Sequence, residues 1–178
     1  MTPKIETQRL VLRQWTDADV EAWADMNADP RVMEFFPGVM ARERSYEQAA
    51  TLREALDKNG YGWFVMERKE QPGFAGIMAV DEIRYELPFQ PLREIGWRFP
   101  VESWGHGYAT EAAKALLQFA RDELHWTEVV AMTAAINQRS RRVMERLGMT
   151  YDPSEDFDHP RVPDGMAIKR HVLYRARL

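Results

Sequence analysis

The stretch SWGHGYATEA, residues 103–112, sets Gly105 and Gly107 on either side of His106 and runs straight into a helical pattern. Glycine is a poor residue for starting a regular element, so two of them imply a backbone that must turn tightly or admit a close neighbour. The pattern that follows puts Ala112, Ala113, Leu116, Phe119, Ala120 and Leu124 on one helical face, with Glu111, Lys114, Gln118, Arg121 and Asp122 on the other. A glycine turn at a helix start offers unpaired backbone N–H groups at the positive end of the helix dipole, which suits a phosphate. Two common phosphate binders do not fit. WGHGYAT lacks the Gly-Lys-Ser/Thr ending of a Walker loop. Ala109 stands where a dinucleotide fingerprint needs its third glycine, and the strands before the loop read as antiparallel rather than parallel. A tight turn that binds nothing is the competing reading.

The elements that must position this loop follow from periodicity. Residues 9–15 alternate as a half-buried strand, and Thr16 with Asp19 forms a weak capping box for the helix that follows through Val20, Trp23 and Asn27. DPRVMEFFPG (29–38) reads as a broken turn of helix, and Ser45 as the cap of a helix stopped by Gly60. Strands are expected at 61–69, 74–83 and 93–99, the three forming an antiparallel meander. A helix at about 107–124, a strand at 127–135, a helix at 137–148 and a long strand at 166–177 complete the order. The expected fold class is α/β (α+β): one domain over 1–178, with a mixed, mostly antiparallel sheet of about six or seven strands and helices on both faces.

Composition narrows the function. The chain has 178 residues, a net charge of −4 and no cysteine, which removes disulfides, thiol nucleophiles and cysteine-based zinc sites. No metal site is expected. The acidic balance argues against nucleic acid as a partner and is compatible with a cationic acceptor such as an amine. MTPKIETQRLVLRQW holds no apolar stretch of signal-peptide length, and no later run approaches a membrane span. A cytoplasmic protein with no membrane partner, monomeric or homodimeric, is the expectation.

The run REIGWRFPVESWGHGYATEA, followed by NQRSRRVMERLGM, resembles the GNAT superfamily of acetyl-CoA-dependent N-acetyltransferases, closest to its RimJ/RimL-like branch. The Gln/Arg-x-x-Gly-x-Gly/Ala signature of that family matches Trp104-x-x-Gly107-x-Ala109, with Trp104 in place of Gln/Arg. Similarity extends from TQRLVLRQW to HVLYR. The resemblance implies acetyl-CoA as co-substrate, its pyrophosphate cradled by Gly105, His106, Gly107, Tyr108, Ala109 and Thr110. It implies that strands 93–99 and 127–135 splay, so that the pantetheine arm pairs with the first near Arg98, Phe99 and Pro100. A β-bulge on that strand would aim a backbone N–H, here that of Phe99, at the thioester oxygen. Asn137 is both a good helix cap and an implied partner of the pantetheine arm. The family's usual helix tyrosine, which protonates the leaving thiolate, is replaced by Met144, and Ser140 is the substitute. Arg139, Arg141, Arg142 and Arg146 could reach cofactor phosphates or simply form a solvated basic face.

The implied reaction is direct attack of a neutral amine on the thioester in a ternary complex. A lysine amine is neutral in only about one molecule in 2,500 at pH 7, against about one in seven for an α-amine. The first requires a strong base and the second little more than a water path. Candidate bases are Glu94, Glu82 and Glu86, with His159 and His171 also near neutral titration, although surface pairing or packing would account for each. Trp23, Phe35, Phe36 and Trp97 are candidates to line the acceptor cleft. The acceptor is open among protein N-termini and small amines. Because the helix tyrosine is missing, a non-catalytic acyl-CoA-sensing module is the alternative.

Overall fold

The computed structural model describes residues 2–178. Among these residues nine strands form one sheet: β1 (Ile5–Glu6), β2 (Leu10–Arg13), β3 (Gly62–Arg68), β4 (Phe74–Glu82), β5 (Arg93–Arg98), β6 (Glu128–Ala134), β7 (Thr150–Tyr151), β8 (Phe157–Asp158) and β9 (Arg170–Arg177). Four helices join them: α1 (Asp17–Ala28), α2 (Arg42–Asn59), α3 (Tyr108–Asp122) and α4 (Gln138–Arg146). The sheet order is β1-β2-β3-β4-β5-β6-β9-β7, with β8 beside β9. The expected meander is present as β3, β4 and β5, paired antiparallel. The expected mixed, mostly antiparallel sheet is present too, its strand count raised by two-residue strands too short to leave a periodic signal.

Register assigns the two faces. Phe64, Met78 and Trp97 are Cα partners across β3, β4 and β5, and Phe64 meets Phe119 of α3 edge-on at 6.2 Å. Side chains alternate along a strand, so the adjacent row Val65, Ile77 and Arg98 faces the opposite side. There Arg98 reaches Trp23 and Asn27 of α1. α3 therefore covers one face and α1 the other. Leu10, Leu12, Phe64, Met66, Met78 and Leu116 are fully enclosed in this core, each such side chain stabilising the fold by about 1.5–3 kcal/mol.

Three expectations need correction. Ser45 does not cap α2, which starts at Arg42 after Ala41. Ser45 is instead buried, its Oγ accepting from Asn27 Nδ2 at 3.2 Å and its carbonyl from Trp23 Nε1 at 3.1 Å. The last strand begins at Arg170, because residues 166–169 form a turn closed by the Lys169 N–H on the Met166 carbonyl. No bulge interrupts β5: its ladder with β4 runs without a shift from Glu82–Arg93 to Ile77–Arg98, and a register shift falls instead between Met66 and Glu67 of β3. Capping at the other ends is as expected. The Asp19 carboxylate accepts from the Thr16 N–H at 2.7 Å, and Gly60 ends α2 in the left-handed region.

Candidate functional site

β5 and β6 lie side by side and parallel, yet they share a single registered pair, Glu94 with Val130. Beyond that pair no residues of the two strands are in register up to their C-terminal ends, which leaves an unpaired wedge in the middle of the sheet. The glycine loop stands at the end of β5, on the wedge's open side. Gly105 and Gly107 both have φ near +79°, a conformation that L side chains rarely adopt. A Cβ on Gly105 would meet nothing within 4 Å, and one on Gly107 only Arg9 Nη2 at 3.7 Å. The glycines are required by backbone conformation, and the space beside them is open.

The hydrogen-bond accounting of this loop is distinctive. The Trp104 N–H donates to the Val101 carbonyl and the Glu111 N–H to the Gly107 carbonyl. Between them the backbone N–H groups from Gly105 to Thr110 have no protein acceptor among the described residues. Six consecutive donors at the start of a 15-residue helix form a site for an anion. The loop is braced from the other end of the chain. Arg9 donates through Nη1 to the His106 carbonyl at 3.1 Å and pairs with Glu111 at 2.6 Å, and its guanidinium lies 4.8 Å from the Tyr108 ring centre. Thr7 Oγ1 adds a 2.6 Å bond to Glu111. Sequence reasoning missed Arg9, Thr7 and Glu111 as a brace because about 100 residues separate the partners.

Trp104, the departure from the family signature, has a defined place. Its indole Nε1 donates to the Phe99 carbonyl at 2.9 Å, tying the end of β5 to the glycine loop. Arg139 lies over the Trp104 ring at 4.3 Å and the Phe35 ring at 5.4 Å, and it pairs with Glu34. Arg141 donates to Tyr174 Oη and the Ala135 carbonyl, a structural role, while Arg142 and Arg146 are exposed. Phe99 is buried, its ring lying over Gly76, where a Cβ would come within 2.2 Å of it. Pro100 is buried beside it.

At the head of α4, Asn137 acts as the expected cap. Its Oδ1 accepts from the Ser140 N–H at 3.2 Å, and its Nδ2 donates to Thr133 Oγ1 at 2.9 Å and Ser140 Oγ at 3.1 Å. The Ser140 hydroxyl thus accepts from Asn137 and has its own proton free. Met144 is buried in the core at 2% exposure.

On the α1 face of β5, Glu94, Gly96 and Arg98 point the same way, and all three are partly exposed although β5 is central in the sheet. Glu94 is cross-strand partner to Asp81. Loss of hydration raises the Glu94 pKa to about 7, and the neighbouring Asp81 charge adds to the rise while Arg161 opposes it. Burial raises Asp81 as well. Glu82 and Glu86 are exposed. The rings of His159 and His171 lie 4.7 Å apart and tilted, with His159 Nε2 3.1 Å from Tyr85 Oη. Burial, then the His171 charge, lowers His159 to about 4, and burial lowers His171, so both rings are neutral at pH 7. Of the candidate aromatics, Trp23 and Phe36 flank Arg98 and Phe35 lies under Arg139. Trp97 does not join them, because alternation sends it to the α3 face.

A family model described as an acetyltransferase (GNAT) domain matches residues 9–150. The chain belongs to the GNAT acetyltransferase family. It is an acetyl-CoA-dependent acetyltransferase. It is 29% identical to the uncharacterized N-acetyltransferase YnaD of Bacillus subtilis over 162 residues, 90% of this chain and 89% of that protein. A GNAT-family acetyltransferase structure from Bacillus anthracis superposes with a TM-score of 0.81 at 26% identity, covering 98% of both chains. RimL, a ribosomal L7/L12 α-N-protein acetyltransferase solved with coenzyme A, shares the fold at a TM-score of 0.77 and 17% identity, over 99% of this chain and 98% of that one. No helix among the described residues is long and apolar enough to cross a membrane.

Proposed function

We propose that this acetyltransferase moves the acetyl group of acetyl-CoA to a primary amine within a ternary complex, using the wedge between β5 and β6. The observation that carries the reading is the single junction at Glu94–Val130, from which the wedge opens toward six unpaired N–H groups. Bound acetyl-CoA supplies an activated acetyl group and a thiolate leaving group. The amides of Gly105, His106, Gly107, Tyr108, Ala109 and Thr110 hold its pyrophosphate, as their free donors and the open space at Gly105 support. The edge of β5 at Arg98, Phe99 and Pro100 holds the pantetheine arm, with Asn137 across the wedge on α4. The Phe99 N–H is the donor to the thioester oxygen, its backbone steadied by the Trp104 bond to its carbonyl.

Glu94 receives the amine proton. It stands five residues before Phe99 on an extended strand, about 16 Å away at ~3.3 Å per residue, so the proton reaches it along water rather than by contact. A carboxyl titrating near 7 is well matched to that task at neutral pH. Ser140 delivers its free proton to the departing thiolate. A dedicated strong base beside the thioester is not part of this arrangement, which favours an acceptor whose amine is partly neutral at pH 7, an α-amine above a lysine side chain. The test is thiol release with acetyl-CoA and an amine panel at pH 7 and pH 9. An α-amine should be the better substrate at pH 7, and a lysine peptide should gain more at pH 9. Strong lysine or polyamine turnover at pH 7 would contradict it, and no thiol release with any amine would favour the non-catalytic module.

A further inference from the structure

Arg98 presents a charge that the protein leaves unanswered. Its guanidinium lies between the rings of Phe36 (4.1 Å) and Trp23 (5.1 Å), and Nη1 donates to Asn27 Oδ1 at 2.6 Å. Nε is buried without a partner, and no carboxylate among the described residues comes within ion-pair distance. The nearest acidic group on the same strand face is Glu94, four residues back and roughly 13 Å away at ~3.3 Å per residue. A guanidinium carries five donors, and leaving it in an aromatic enclosure with one neutral acceptor is costly. Burial alone pulls its pKa down to about 10, the direction expected of a cation without a counterion. Arg13 and Arg175, by contrast, are answered by acids, the first by Asp19 and Glu67 and the second by Glu128 and Glu155.

The position of this cation matters. Its Cα is one residue, about 3.8 Å, from that of Phe99, the donor proposed for the thioester oxygen. Its side chain projects to the α1 face, where β5 stays partly open at Glu94, Gly96 and Arg98. We infer that Arg98 is the acceptor-recognition residue, binding a carboxylate that lies a few bonds from the reacting amine, so that the acceptor is a free α-amino acid. The inference rests on the proposed amine acetylation and names its substrate class. Trp23 and Phe36 hold the guanidinium plane in place, and Asn27, anchored on Ser45, fixes one edge. Nη2, which has no hydrogen-bond partner among the described residues, is left for a carboxylate. A polyamine or blocked lysine would bring nothing to this charge.

The test compares free amino acids with their carboxamides, as acetyl acceptors and as ligands in calorimetry with CoA present. The free acids should be preferred, and Arg98→Met should lower the acid-to-amide ratio of kcat/KM by about 30-fold or more, the scale expected for a charge pair in a desolvated site. Arg98→Lys, which keeps the charge and loses the fork, should recover part of that ratio. Equal use of acids and amides overturns the proposal, as does a ratio unmoved by Arg98→Met, or preference for a peptide N-terminus or polyamine. Failure of free acids to bind in calorimetry also overturns it. Absence of thiol release with every amine, by contrast, refutes the underlying amine-transfer reading itself.

Discussion

The glycine loop and the α1 face of β5 are built on opposite electrostatic plans. Past the strand's C-terminal end, the glycine loop is a backbone device whose side-chain charges are settled internally: Arg9 answers Glu111, and hydrogen bonds from Thr7 and Arg9 with the Arg9 charge overcome desolvation to hold the Glu111 carboxyl below its usual range. On the α1 face, Glu94 and Asp81 face each other as like charges and Arg98 has no counterion. In its proposed role the loop needs only conformation and N–H groups. The α1 face holds charges that cost stability in the free protein, a pattern that marks places where a substrate supplies what the fold does not.

The sharpest way to break the contrast is at Gly107. With φ at +79°, a β-branched residue there is strained whatever the space available. Gly107→Val should therefore weaken acetyl-CoA binding by more than about 100-fold in calorimetry. Retained affinity would mean that side chains, and not a glycine backbone, hold the cofactor.

Glu94→Gln tests the α1 face. If the carboxylate accepts the proton, turnover at pH 7 should fall about 10²-fold, and the rise in kcat/KM as pH passes about 7 should vanish from the profile. The stability sign is independent of chemistry. A carboxyl whose folded pKa is raised from 4.5 to about 7 favours the folded state when protonated. That contribution is full below the unfolded pKa and is lost as pH rises through 7. The neutral glutamine should raise Tm relative to the parent at pH 8–9 and change it little near pH 4. A lower Tm at pH 9 would show that Glu94 has a partner in its ionised form.

Smaller effects sharpen the picture. Ser140→Ala should reduce turnover about 10- to 100-fold with cofactor affinity nearly unchanged, because a thiol of pKa about 8.5 also leaves unaided. Unchanged turnover would reduce Ser140 to a member of the Asn137 cap. Least of all, His106→Ala should alter acetyl-CoA affinity less than about threefold, within the range of an ordinary surface change. Its carbonyl, not its imidazole, meets Arg9, and the ring only stacks on Tyr108 at 5.3 Å. A large loss there would contradict a backbone cradle.

The α3 helix, its glycine entry and the meander before it were legible because each is written in local periodicity or in residues with one conformational use. The Asn137 cap was legible for the same reason. Ser45 misled because a serine near a helix start has two uses, capping and buried bonding, and only the packing of α1 against α2 chooses between them. The two-residue strands β7 and β8 were invisible, since they exist only as edges offered to β9.

The amino-acid sequence by itself determined the order of the longer elements, the family and the glycine loop, because helical period, strand alternation and positive-φ glycines are properties of neighbouring residues. Tertiary structure decided which charges are answered. That Arg9 finds Glu111 across 102 residues, that Glu94 meets Asp81, and that Arg98 meets no acid are all consequences of register and helix placement. A charge's energy depends on the few ångströms and the hydration around it, and the folded chain alone sets both.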